Sequence, residues 1–281
     1  MRTFDKTIQM FIFNGNPNGR IMCELSNWNG RVYKISRNEL SEFSKREDAE
    51  NTGVYFLFGK DIHNSDTVYI GEAEKIYSRL KQHLKDDSYW NDCIVLISKD
   101  NLLNKAHVKF LEHNFYQLAQ KSSRVVVVNN TVPTCSSISE YDKAMLEEFI
   151  DNAKLLVNTL GYKAFDTIEE TAVKRNNVEI TFYLKSSRGA NARGMIVTDG
   201  FAVLSGSVVA PSTTQSIQGF IMDLRNSLRE KQVIDENYVF QKDYVFSSPS
   251  SAAAVVLGRN ANGLTEWKTE DHQTLKAINA E

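Results

Sequence analysis

Residues 53–84, GVYFLFGKDIHNSDTVYIGEAEKIYSRLKQHL, decide how this chain reads. Two short runs of β-branched and aromatic residues, 53–59 and 67–71, favour strands, and the segment KDIHNSDT that joins them is rich in turn formers. The two runs predict a β-hairpin with a moderately long loop, which sets Tyr55 beside Tyr69. After Gly71 the period changes. Ile76, Leu80 and Leu84 recur every four residues, the spacing of a helix with one apolar stripe. Arg79 and His83 are also four apart, so they share a neighbouring face and can act on one ligand.

Further on, residues 104–122 (NKAHVKFLEHNFYQLAQKS) bury Val108, Leu111, Phe115 and Leu118 by the same logic and carry Glu112. Taken as a set, these residues resemble the GIY-YIG nuclease family, which includes phage homing endonucleases, the bacterial excision-repair nuclease subunit and some restriction enzymes. Each triplet is weak alone, and the set is specific. The resemblance runs from about residue 52 to 133. The family pattern has a tyrosine in each triplet, an arginine ten residues after the second tyrosine, a histidine or tyrosine four further on, a glutamate on a later helix and an asparagine near the end. Here Tyr55, Tyr69, Arg79, His83, Glu112 and Asn129 stand at those places. Val54 replaces the isoleucine of the first triplet, and Glu72 stands where some members carry a basic residue.

The chemistry that this resemblance implies is hydrolysis of a DNA phosphodiester with one divalent metal, Mg²⁺ or Mn²⁺. Glu112 would be the metal ligand, since Mg²⁺ accepts hard carboxylate oxygens and keeps several waters when one or two carboxylates hold it. Arg79 would stabilise charge that grows in the transition state. Tyr55 would be the general base for the attacking water, with Tyr69 and His83 positioning water and phosphate. A free phenol has a pKa of about 10, so Tyr55 needs nearby positive charge, here Arg79 and the metal, to lose its proton near neutrality. Histidine exchanges protons at neutral pH, so His83 can share that work.

The chain has 281 residues, long enough for two domains. Its 42% hydrophobic and 24% charged residues are ordinary for a soluble protein. No apolar run of about 18 residues is present, so no membrane span is expected. The stretch MRTFDKTIQMFIFNGNPNGR has no signal-peptide apolar region, because Gln9 and Asn14 interrupt it; a cytoplasmic protein is expected. Cys23, Cys93 and Cys135 are far apart and form no CxxC pair, which argues against a zinc site and a disulfide framework. With 33 basic and 35 acidic residues the net charge is −2, unlike the strongly basic balance of a protein that coats DNA. A nuclease needs only a local positive groove. Lys75, Lys81, Lys105 and Lys109 are its candidates on the two helices.

The first fifty residues read as a small β meander with a short helix. KTIQMFIFNG, GRIMCELSN and GRVYKISR are apolar or alternating runs punctuated by Asn-Gly signals, and Ser36 with Glu39 resembles a capping box opening RNELSEFSKRED. In residues 137–161 (SISEYDKAMLEEFIDNAKLLVNTLG), Met145, Phe149, Leu156 and Leu160 belong to an apolar stripe, Ser139 can cap the start and Gly161 ends it. This helix reads as a brace that packs on one or both domains.

The last part of the chain reads as a second α+β unit. EITFYLKS, ARGMIVTDG and FAVLSGS are strand-like, QSIQGFIMDLRNSLREKQV is amphipathic, and YVFQKDYVFSS, PSSAAAVVLG and RNANGLTEWK follow. Ser248 can cap a helix that has Pro249 at its first position. Residues 247–268 resemble the C-terminal motif of an uncharacterised domain often found after GIY-YIG modules, and also the small RAMA domain of restriction and adenine-methylase systems. That resemblance implies a DNA-contacting or modification-sensing module. The window 174–193 holds five basic residues and one acidic, and its SSRGANARG turn offers Arg188 and Arg193 to phosphate. Trp267 reads as a core anchor, with base stacking as the alternative.

The expected whole is an α+β protein: an N-terminal β extension (1–50), a nuclease domain whose small mixed or antiparallel sheet is flanked by helices (51–133), a linker with a bridging helix (134–165) and an α+β DNA-targeting domain (166–281). The resemblance implies an endonuclease in a restriction, repair or mobile-element setting. The competing expectation is a non-catalytic DNA-binding or regulatory protein of a defence system.

Overall fold

A computed structural model describes residues 5–62, 64–86, 89–175 and 178–280. The chain is α+β and divides into two compact units, Met1–Asp166 and Thr167–Glu281. In the first unit the elements run β1 (Ile8–Ile12), β2 (Ile21–Leu25), β3 (Gly30–Ser36), α1 (Leu40–Phe43), β4 (Gly53–Lys60), β5 (Asp66–Ala73), α2 (Ile76–Asp86), β6 (Trp90–Ser98), α3 (Lys105–Ser122), β7 (Val126–Val127) and α4 (Glu140–Thr159). The strands form one seven-stranded sheet in the order β1-β2-β3-β6-β4-β5-β7. Every pairing is antiparallel except β5 with β7.

The N-terminal meander is therefore continuous with the core sheet, because β3 pairs with β6 from Gly30↔Ser98 to Ser36↔Asp92. β6 (WNDCIVLIS) lies between β3 and β4. Its stretch 93–97 is apolar, and turn formers flank the strand at 86–88 and 99–101. Period-2 alternation sends its side chains, like those of β4, into two cores. Val54, Phe56, Ile94 and Leu96 join the core built with α3 and α4, whereas Tyr55, Leu57, Val95 and Ile97 join the one that contains Leu40 and Phe43 of α1 and Ile76 and Leu80 of α2.

Local signals place the helices, with two corrections. Asn104 caps α3 and Ser139 caps α4, each side chain accepting from a backbone amide of the first turn. Ser36 makes no capping hydrogen bond, and Glu39 instead binds Arg20 at 3.0 Å. In α4 the buried stripe is Leu146, Phe149, Ile150, Ala153, Leu156 and Val157, with Leu160 packed against the same core, and Met145 is exposed. The helix expected to bridge the domains has its buried face in the first unit's core, alongside β2, β3 and α3.

The second unit contains α5 (Ile168–Thr171), β8 (Lys174–Arg175), β9 (Val178–Glu179), β10 (Phe182–Lys185), β11 (Asn191–Val197), β12 (Gly200–Val203), α6 (Gly219–Glu230), β13 (Tyr244–Phe246), α7 (Pro249–Leu257), α8 (Gly263–Glu266) and α9 (Leu275–Ala280). β10 to β13 form an antiparallel sheet in chain order. Of the run YVFQKDYVFSS only Tyr244–Phe246 is strand; Tyr238 has φ +64, outside the extended region. Ser248 caps α7 with Pro249 in its first turn. Gly263 is required where α8 meets α7, since a Cβ there would fall 2.2 Å from the Pro249 carbonyl. Trp267 is fully buried, packs against Phe201 with tilted rings whose centroids are 4.6 Å apart and donates from Nε1 to Pro249 O at 3.0 Å, which makes it a core anchor.

Candidate active site

The register of the hairpin explains the glycines of both triplets. Tyr55 lies opposite Gly71, and Tyr69 lies opposite Leu57 on the same face. A Cβ on Gly71 would meet the Tyr55 hydroxyl at 2.4 Å, and one on Gly53 would meet the Leu96 carbonyl at 2.2 Å. Only glycine lets the Tyr55 ring cross β5 and β4 pack against β6.

On that face four side chains converge. The Tyr55 and Tyr69 rings stack with centroids 6.2 Å apart, and the His83 ring lies 5.5 Å from the first and 5.1 Å from the second. The Tyr55 hydroxyl hydrogen-bonds His83 Nε2 at 2.8 Å. Arg79, one turn before His83, donates to Gln82 Oε1 at 2.7 Å, and both tyrosine hydroxyls act on its charge. Tyr55 is fully buried. Burial, and then the neighbouring Tyr69, raise its hydroxyl well above the usual phenol range, and Arg79 offsets only part of that. The direction is opposite to what a tyrosine acting as a base by itself requires. For Arg79, burial works against the charge, but the tyrosine hydroxyls outweigh it and the guanidinium is held more firmly protonated.

Glu112 belongs to α3, on the other side of the sheet, and is partly buried. Burial, followed by the negative charge of Glu72, pushes its carboxyl up to about 7, while Lys105, Lys109 and hydrogen bonding from the Glu72 backbone pull the other way. The Tyr55 hydroxyl sits over Gly71, and the charge of the next residue of β5, Glu72, acts on the Glu112 carboxyl.

Asn129 takes a different position from the rest. Its amide accepts from Ile70 N at 3.0 Å and donates to Ile70 O at 2.7 Å. β7 pairs with β5 only at Thr67 and Val68, so Asn129 continues that ladder and fixes β5 just before Gly71. It holds the strand on which the site is built. This use of a side chain as ladder partner leaves no signal in the sequence beyond the residue type.

Of the basic candidates, Lys75 and Lys81 are exposed and Lys109 is half-buried. Lys105 is bound to Glu72 at 2.8 Å, a pairing that sequence reasoning missed. Arg188 donates to the Ser212 carbonyl and hydroxyl, and Arg193 Nη2 to Ser205 O at 3.4 Å. In the basic window, Asn176 and Asn177 lie outside the described residues, as do the side chains of Lys174 and Arg175.

A family described as a domain of unknown function (DUF4357) matches residues 182–279. The match falls within the second unit and spans α7, α8 and Trp267. No curated protein and no solved structure matched the chain. Among the described residues, no helix is long and apolar enough to cross a membrane.

Proposed function

We propose that the chain is a metal-dependent endonuclease of the GIY-YIG type that hydrolyses DNA phosphodiester bonds, with its chemistry in the first unit and DNA targeting in the second. The observation that carries this reading is the cluster of Tyr55, Tyr69, His83 and Arg79 over Gly71 on one face of β5, beside Glu72, whose charge acts on the raised Glu112 carboxyl.

Among the described residues no group of three or more His, Cys, Asp or Glu side chains is placed to hold a metal. Mg²⁺ does not need one, because one or two carboxylates with waters suffice. Glu112 fits that role. Its carboxyl is raised by burial and by Glu72, so negative charge beside it is under-compensated and a divalent cation would relieve it. When bound, Mg²⁺ or Mn²⁺ would polarise the phosphate and stabilise the leaving alkoxide.

The remaining work falls to the chain's own side chains. Arg79, already charged and aimed by Gln82, faces the phosphate oxygens and stabilises the charge that develops on them. Tyr55 orients the attacking water and passes a proton to His83 Nε2 along the 2.8 Å hydrogen bond. The relay removes the need for a free tyrosinate, which burial disfavours. In the second unit, each arginine has five N–H donors, so Arg188 and Arg193 keep donors for phosphate beyond those given to Ser212 and Ser205.

The test is supercoiled plasmid DNA, modified and unmodified, incubated with Mg²⁺ or Mn²⁺ and the full chain. Metal-dependent nicking is expected, and Glu112→Gln abolishes it while circular dichroism and DNA affinity are retained. A variant that cleaves at the wild-type rate under single turnover overturns the ligand assignment. DNA binding without cleavage in either metal supports the second reading, a DNA-binding protein without turnover, which the protonated Tyr55 and the acidic Glu72 favour.

A further inference from the structure

Lys105 opens α3, and its Nζ lies 2.8 and 2.9 Å from the two carboxylate oxygens of Glu72, with Glu74 at 3.8 Å. The Glu72 side chain is only 12% exposed, whereas that of Lys105 is 46% exposed. Glu72 follows the glycine over which Tyr55 lies, and its charge and that of Lys105 both act on Glu112. The ion pair therefore forms beside the carboxylate assigned to the cation. Its geometry matters because one ammonium spans both oxygens of one carboxylate, and Glu72 is bound at both ends.

We propose that Lys105 is a positioning residue of the cation site rather than a phosphate contact: by engaging both oxygens of Glu72 it withholds that carboxylate, so that Glu112 alone carries the cation. The proposal rests on the reading of Glu112 as the metal ligand. Divalent affinity rises with the number and charge of carboxylates offered, so two free neighbouring carboxylates would bind the cation tightly and leave fewer open positions. With Lys105 in place the cation is held weakly and keeps positions for phosphate and water. Lys109 is the internal comparison, because its charge also acts on Glu112.

Calorimetric titration of the full chain with Mn²⁺ tests this. Lys105→Gln is expected to tighten Mn²⁺ binding by about tenfold, Lys105→Arg to stay near wild type, and Lys105→Gln combined with Glu72→Gln to return to wild type. Lys109→Gln is expected to shift affinity by less than about threefold. Unchanged Mn²⁺ affinity in Lys105→Gln, or equal tightening in Lys109→Gln, overturns the proposal. A salt slope of DNA binding lowered by about one, with Mn²⁺ affinity unchanged, makes Lys105 the phosphate contact instead. Failure of the underlying reading looks different: the wild type then shows no Mn²⁺ binding that Glu112→Gln removes, and both proposals fall together.

Discussion

At Tyr55 and Glu112 the first unit holds ionisable groups under cover with their proton affinity raised, each facing another ionisable side chain. The second unit treats its buried polar groups differently. Arg225 is buried, its guanidinium pushed down by that burial, and it donates to the Val255 carbonyl and to Ala210 O at 2.6 Å. Trp267 gives its one donor to Pro249 O. Backbone carbonyls do not titrate and do not move, so these bonds fix the packing of α7 and nothing more. Groups displaced from their ordinary range that face one another are the ones that can exchange a proton or take up a cation. The contrast is the one expected if the proposed chemistry lies in the first unit.

The strongest way to break this contrast is at Arg79. Arg79→Ala should lower the single-turnover cleavage rate by about 10²–10³, while Lys85→Ala, on the exposed part of the same helix, should leave it within about twofold. Equal losses would make Arg79 one more surface charge, and the first unit would lose its distinction.

Next in size is the response to pH, where two signs oppose each other. Glu112 must be ionised to take up a cation, so at sub-saturating metal cleavage should rise as pH passes through the metal-free carboxyl at about 7, and saturating metal should move that rise to lower pH. Stability without metal should go the other way. A carboxyl raised from 4.5 favours the folded state fully below its unfolded value, and that contribution is lost as pH rises through about 7. Glu112→Gln should therefore melt higher than wild type at pH 8, by about 2–4 °C, and lose that advantage at pH 5. Parallel melting at both values would mean that the carboxylate is solvated and unremarkable.

The smallest expected effect on cleavage comes from the second unit's anchor. Trp267→Phe keeps an aromatic ring against Phe201 but removes the donor to Pro249, and should cost about 1–3 kcal/mol of stability. The cleavage rate per folded molecule should not change. A selective loss of chemistry, with melting unaffected, would move part of the active site into the second unit.

Much of this was legible in residues 53–84. Tyr55, Tyr69, Arg79 and His83 can be placed on one face from strand alternation and helical spacing, because both periods are local properties of the backbone. The caps at Ser139 and Ser248 are equally local. Other features escaped for definite reasons. The place of β6 between β3 and β4 depends on partners far away in sequence. The capping box at Ser36 failed because Arg20, from the loop before β2, drew Glu39 away. Met145 and Leu146 differ by one position, and which of them is buried depends on how α4 lies against the sheet.

The sequence by itself determined the α+β class and the hairpin with its following helix, since those follow from composition and short-range period; the phosphodiester chemistry is what the resemblance of the residue set implies. Only the tertiary structure decided how charge is distributed among them. Lys105, which spacing makes a free cation on a helix, is held by Glu72 across 33 residues; Asn129 is bound to the backbone of Ile70; and the protons of Tyr55 and Glu112 are held by burial and by neighbours. Desolvation and Coulomb forces act through space over a few ångströms, and a linear sequence does not carry those distances.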